Sequence, residues 1–187
     1  MKKKRAIIIA GLVTVFGIGG AGFIMMYFVQ HRSLQEIFLF YPHSFFVQVV
    51  FGLSYGLLTG FLLQILLKTR SLANARHYFA RLVKGYEVNS FDIFFISLCA
   101  GFGEEMFFRG AVQHWLGIWL TSIIFILLHG YFNPKDMPLF IYGTVLLVVS
   151  CGFGYLMLYS GIYAAMASHF IIDVMLLGYL KTRRQGV

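Results

Sequence analysis

Residues 91–119 read FDIFFISLCAGFGEEMFFRGAVQHWLGIW, an apolar run suited to a bilayer that nevertheless carries Glu104, Glu105 and Arg109 near its middle. A carboxylate or guanidinium at the centre of a spanning helix costs roughly 2.5–3.5 kcal/mol on insertion scales. Such groups face a bundle interior or a water-filled cavity and have partners there. Composition says what kind of protein must supply those partners. Of 187 residues, 59% are hydrophobic and 12% charged, and the mean hydropathy is +0.80. Soluble domains carry about a quarter charged residues. The sequence therefore predicts an all-α polytopic membrane helix bundle, a single integral-membrane domain over 1–187 with no room for a sizeable soluble one.

Working outward from the charged run, six apolar spans are expected: Ala6–Gln30, about Phe45–Leu67, Phe91–Ala111, Trp115–Gly130, Pro138–Tyr159 and Gly161–Leu180. The fourth is short, and the second has an alternative start near Ile37 with Pro42 kinking or beginning it. The 15 Lys+Arg outnumber the 7 Asp+Glu, for a net charge of +8. These basic residues sit at the ends of apolar segments, so they read as topology signals and not as a nucleic-acid surface. With the N-terminus inside, the inner loops collect Lys2 to Arg5, Lys68, Arg70, Arg76, Arg81, Lys84, Lys135, Lys181, Arg183 and Arg184, and only Arg32 falls outside. A multi-pass cell-membrane protein with both termini cytoplasmic follows as the expectation. Lys2 to Arg5 followed by an apolar run is signal-like, but the uncharged stretch exceeds a signal core and reads as a retained first span.

Between the second and third spans, Leu72, Ala75, Phe79, Leu82, Val83 and Tyr86 share one helical face, opposite Arg70, His77, Arg81 and Lys84. This predicts one interfacial amphipathic helix, a connector on the inner leaflet to which we assign no chemistry. Gly52, Gly56 and Gly60 form a smooth strip for close helix approach, with packing inside the monomer favoured over dimerisation. Gly101 and Gly103 offer a bend or a seat for a neighbouring helix. Cys99 and Cys151 lie in apolar runs as small hydrophobes, with no disulfide framework and no zinc motif. The abundant Phe and Tyr are expected as lipid-facing and interfacial packing, with Trp115 and Trp119 anchoring the outer end of the fourth span.

Polar groups recur in two later spans: His129, and His169 with Asp173. Glu105 with Arg109 and His169 with Asp173 are each i, i+4 pairs that point the same way on a helix. From the helical rise, Glu104 stands roughly 20 Å, His169 roughly 18 Å, Asp173 about 12 Å and His129 about 9 Å from the inner edge. That spread allows one shared cavity. Structural readings stand beside it: an ion pair for Glu105 and Arg109, an interfacial imidazole for His129, and a helix-to-helix hydrogen bond for His169 and Asp173. If the groups converge, a glutamate can take a proton from water while a histidine orients it and other donors stabilise an amide oxyanion. Ser97, Ser122 and Ser168 lack a nucleophile context.

Glu104-Glu105-Met106-Phe107-Phe108-Arg109 resembles the EExxxR motif of the CAAX protease and bacteriocin-processing family. Phe125 to His129 resembles its FxxxH motif, and His169 to Asp173 its HxxxN/D motif. The three occur in the family's order over roughly residues 91–180, about half the chain, which would form the catalytic core. The resemblance implies an intramembrane glutamic endopeptidase of the type II CAAX prenyl endopeptidase kind, its cavity open to the cytosolic side. By position, Glu104 would be the general base and His129 would help hold the water. His169 and Asp173 would take the oxyanion positions, with Glu105 and Arg109 in support. No cofactor or metal site is expected. Eukaryotic prenyl-protein proteases of the family carry Asn where this chain has Asp173, and an ionised Asp can only accept a hydrogen bond. Asp173 is therefore expected either to be protonated or to orient His169 through a hydrogen bond.

Two alternatives keep the same residues: a metalloprotease, although no H-E-x-x-H motif is present, and a catalytically idle scaffold or regulator. A small proton-coupled transporter is weaker, since paired broken helices and repeats are missing. The expected partners are the lipid bilayer and a membrane-associated peptide or protein substrate. The short basic N-terminus and compact bundle suggest a bacterial protein, for which peptide pheromones, bacteriocin precursors or membrane-protein tails are the cargo by family analogy.

Overall fold

The computed structural model describes residues 2–39 and 41–182, without the side chains of Lys2 and Leu82. Arg183 and Arg184, counted above among the inner charges, lie outside the described residues. Among those described there is no strand, and five helices are long and apolar enough to cross a membrane. They are α1 (Lys3–Val29), α3 (Phe45–Lys68), α5 (Ser90–Leu128), α6 (Met137–Tyr159) and α7 (Ile162–Thr182). Two shorter helices connect them: α2 (Leu34–Phe38) and α4 (Ala73–Tyr86). Ser44 precedes α3, so Ile37 belongs to α2 and Pro42 to the connection between the two.

The 39-residue α5 absorbs the third and fourth expected spans. A straight helix would hold residues 104 and 129 about 37 Å apart, but Glu104 Oε2 lies 3.5 Å from His129 Nε2. The reversal is at Gly117, whose φ of 69° and ψ of 177° break the helix. That positive φ suits a residue without Cβ. Α5 is therefore a hairpin: an ascending arm, a tip at Gly117 flanked by the exposed Trp115 and Trp119, and a short return arm. Its entry is fixed by a capping box in which Asn89 accepts from the Asp92 amide at 2.8 Å and Asp92 accepts from the Asn89 amide at 2.9 Å. Asp92 thus serves the helix start.

Contacts along the chain set the directions. Gly11 meets Phe95 and Gly22 meets Phe107, so α1 runs parallel to the ascending arm. Gly52 meets Ala164 and Gly60 meets Met175, so α3 runs parallel to α7. Lys181 Nζ donates to Ser90 Oγ at 3.1 Å, so the end of α7 returns to the start of α5. Lys3 pairs with Glu87 at 2.9 Å at that same end. The ends of α1 and α7 therefore share one side of the bundle with Lys68, Arg76, Arg81 and Lys135, while Arg32 sits at the opposite side. Outward faces carry exposed Phe16, Phe46, Val148 and Leu158, as a lipid-facing surface requires. The chain is a multi-pass membrane protein.

Glycine spacing governs the closest contacts. A Cβ on Gly52 would strike the Ala164 carbonyl, and one on Gly56 would meet the Ser168 carbonyl oxygen at 2.7 Å. The strip Gly52, Gly56, Gly60 is thus occupied within the chain by α7, and Ser168 Oγ donates across it to the Gly52 carbonyl at 2.9 Å. Gly101 and Gly103 each seat a neighbour, α7 against the first and α1 against the second. The amphipathic α4 lays Ala75 and Val83 on the bundle together with Leu72 of the turn before it, while Tyr86 of the predicted face is half exposed. Replacing Gly56 by Leu must force α3 off α7, and overpacking of this kind costs about 1–3 kcal/mol. Thermal unfolding of the detergent-solubilised protein is expected to show a lowered midpoint for Gly56→Leu and an unchanged one for Gly178→Leu, since Gly178 has open space around it.

Candidate active site

Successive residues of an α-helix point about 100° apart, so Glu104 and Glu105 leave the ascending arm in different directions. Glu105 turns into the protein and is fully buried. Its Oε2 accepts from Arg109 Nε at 3.1 Å and its Oε1 from His169 Nδ1 at 2.8 Å. Arg109 is 1% exposed and gives Nη1 to Ser122 Oγ at 3.0 Å and Nη2 to Ser150 Oγ at 2.6 Å. One carboxylate and one guanidinium thereby join both arms of α5 with α6 and α7. The guanidinium carbon stands 5.8 Å and 6.0 Å from the ring centroids of Phe125 and Phe153, and Phe153 stacks on His169 at 5.5 Å.

Arg109 belongs to a π-helical stretch, Met106–Val112, within the ascending arm. Its carbonyls at Gly110 and Ala111 receive donors from outside the helix: Arg32 Nη1 at 3.3 Å and Gln30 Nε2 at 2.9 Å. The one basic residue expected on the outer side is thus bonded to this widened turn.

Glu104 faces the return arm across a cavity of about 240 Å³. His129 Nδ1 donates to the Phe125 carbonyl at 2.7 Å, which leaves Nε2 directed at Glu104. The helix end explains why His129 stops there. Gly130, at φ 73°, follows it, with the Gly130 amide on the Leu127 carbonyl at 3.0 Å and the Tyr131 amide on the Ile126 carbonyl at 3.4 Å. This is a Schellman ending with glycine in the left-handed position. Glu104, His129, His169 and Asp173 all line the cavity, whose remaining wall is mainly apolar and includes Phe79 of α4.

The structure therefore brings all six sequence-selected residues into one cluster. It differs on how His169 is held. Asp173 Oδ2 is 3.6 Å from His169 Nε2, outside hydrogen-bond range, whereas Glu105 takes Nδ1. Glu105, fixed by Arg109, is the orienting carboxylate, and Asp173 stands beside the free Nε2. Ser122, Ser150 and Phe153 carry no signal in the sequence that marks them for the site. Each is a short polar or ordinary apolar residue whose importance arises only from Arg109 or His169 reaching it. His31, His43, His77 and His114 are exposed, and Cys99 and Cys151 are buried free thiols.

Fold and site together define a class: a membrane-embedded helical bundle whose carboxylates and imidazoles meet at an internal cavity. Residues 87–175 match the family model described as type II CAAX prenyl endopeptidase Rce1-like. By this segment, just under half of its length, the chain is similar to the Rce1-like family. It is also similar to the uncharacterized protein YpbD of Bacillus subtilis (strain 168), 39% identical over 82 residues. That match covers 43% of this chain and 41% of the relative. No solved structure matches.

Removing one member of a buried pair strands the other, at a cost of about 3–5 kcal/mol. Arg109→Met is expected to lower the thermal midpoint sharply. Adding Glu105→Gln, which removes the stranded charge and keeps an acceptor for His169, should recover part of the loss. Equal midpoints for the single and double variants would show that the two charges are not coupled.

Proposed function

We propose that this protein is an intramembrane endopeptidase that hydrolyses a peptide bond of a membrane-associated peptide or protein through glutamate-activated water. The observation that carries the reading is the opposition of Glu104 Oε2 and His129 Nε2 at 3.5 Å on the cavity wall, with neither atom taken by another hydrogen bond among the described residues. A water held beside this pair in the cavity gives up its proton to Glu104 as its oxygen attacks the amide carbon. The developing oxyanion is stabilised by a donor already aimed at it, the role of His169 Nε2–H, whose ring is fixed through Nδ1 by Glu105. As the C–N bond breaks, Glu104 returns the proton to the leaving amine. Asp173, beside His169, balances the positive charge of a doubly protonated imidazole.

The catalytic core is residues 91–180. The basic end of the bundle, which holds both helix termini, faces the cytosol by the positive-inside rule, and substrate enters from that side. Family likeness supports a peptidase, and peptide pheromones, bacteriocin precursors or membrane-protein tails are the proposed cargo.

The test compares membranes containing the native protein with membranes containing Glu104→Gln at equal abundance, mapping all peptide termini by mass spectrometry. Termini specific to the native protein are expected, with at least about a hundredfold loss of their rate of appearance in the variant. Identical termini under conditions where deletion has a phenotype would leave the scaffold reading. On a peptide copying an identified cleavage site, activity is expected to be indifferent to chelators; loss restored by zinc would favour the metalloprotease.

A further inference from the structure

We propose that Tyr131 is a further catalytic residue, its phenolic O–H donating to the oxyanion alongside His169. The proposal rests on the peptidase reading above.

The donor inventory of the cavity motivates it. Glu104 and an ionised Asp173 are acceptors only. His129 has spent Nδ1–H on the Phe125 carbonyl, and Arg109, which bonds Glu105, Ser122 and Ser150, is not among the residues lining the cavity. His169 Nε2 is then one donor where oxyanion sites commonly use a pair. Three hydroxyl-bearing residues also line the cavity: Tyr131, Tyr142 and Ser150. Ser150 Oγ accepts from Arg109 Nη2 at 2.6 Å, which ties it to the network around Glu105. Tyr142 stands edge-on to Tyr131 at 6.4 Å between ring centroids.

Tyr131 is held in place from three sides. The Schellman ending at Gly130 folds the chain back so that its ring stacks on His129 at 5.7 Å and 23°. Phe79 of α4 meets it edge-on at 5.7 Å. Its Cβ and carbonyl lie 2.9 Å from where a Cβ on Gly143 would sit, so α6 has no room for a side chain behind it. Burial first, then the charges of Asp173 and Glu104, push the Tyr131 hydroxyl well above the usual phenol range. Asp173, Glu104 and Tyr78 are its electrostatic neighbours, and the hydroxyl keeps its proton throughout.

In the step, water oxygen bonds to the amide carbon and its proton passes to Glu104. The oxyanion accepts hydrogen bonds from Tyr131 O–H and His169 Nε2–H. On collapse the C–N bond breaks and the proton on Glu104 goes to the amine. Tyr131 neither gains nor loses a proton.

Tyr131→Phe keeps the ring, its stack on His129 and its packing, and removes only the O–H. With a synthetic peptide copying a cleavage site found by terminus mapping, kcat is expected to fall about a hundredfold while KM changes by less than about threefold. The phosphinate isostere of the same peptide, which presents a tetrahedral oxyanion, should bind the variant correspondingly less tightly, whereas the uncleaved peptide should bind Glu104→Gln and Glu104→Gln/Tyr131→Phe alike. Cleavage by the native protein that is lost in Glu104→Gln but retained within about twofold in Tyr131→Phe overturns the Tyr131 assignment alone. If the native protein itself yields no cleavage, the peptidase reading falls and Tyr131 with it.

Discussion

Everything at the centre of this bundle depends on one buried carboxylate having two donors. Glu105 is fully buried and both its oxygens are taken, one by Arg109 and one by His169. A buried charge is tolerated only when it is paired and its remaining hydrogen-bonding sites are filled. Arg109 faces the same demand and meets it with two serines on different helical segments. The resulting network fixes the imidazole of His169 and the spacing of four helical segments at once. Glu104, next in sequence, is left free to face the cavity because helical geometry turns it away from that network.

Much of this was legible before the fold. Glu104, Glu105, Arg109, His129, His169 and Asp173 stand out because an ionisable or imidazole side chain among apolar neighbours needs a reason. The glycine strip of α3 and the amphipathic pattern of α4 are legible for a similar reason, since periodicity reports directly on which face meets another helix. The hairpin was only partly so: Trp115–Gly130 appeared as a short separate span, and nothing in local pattern told a tip at Gly117 from an ordinary loop. The orientation of His169 was not legible. Spacing along α7 favours Asp173, four residues on, but the partner with the better reach comes from another helix, and only packing reveals that. Ser150 is hidden for the same reason, since a serine in an apolar helix has many unremarked uses.

Α4 acquires more meaning in the structure than its pattern suggested. An interfacial connector needs only to cover the inner leaflet, yet Phe79 reaches the cavity and touches Tyr131 and Tyr142. The basic, lipid-surface helix and the ionisable cluster are thus neighbours through one aromatic side chain. The connector is part of the cavity wall, and the family-matched segment, which begins at residue 87, does not by itself enclose the site.

The separation of Glu105 and Arg109 by a single helical turn also bears on how the chain enters the bilayer. Helices are delivered in sequence order, and the ascending arm arrives before α6 and α7 exist to receive its charges. Because the two opposite charges already face each other on one helix, that arm carries a neutralised pair with it during insertion. The remaining partners, Ser150 of α6 and His169 of α7, lie on helices that come later in the chain. The cluster is therefore completed only when the final helix is in place, so an unfinished chain holds the charges without enclosing the cavity.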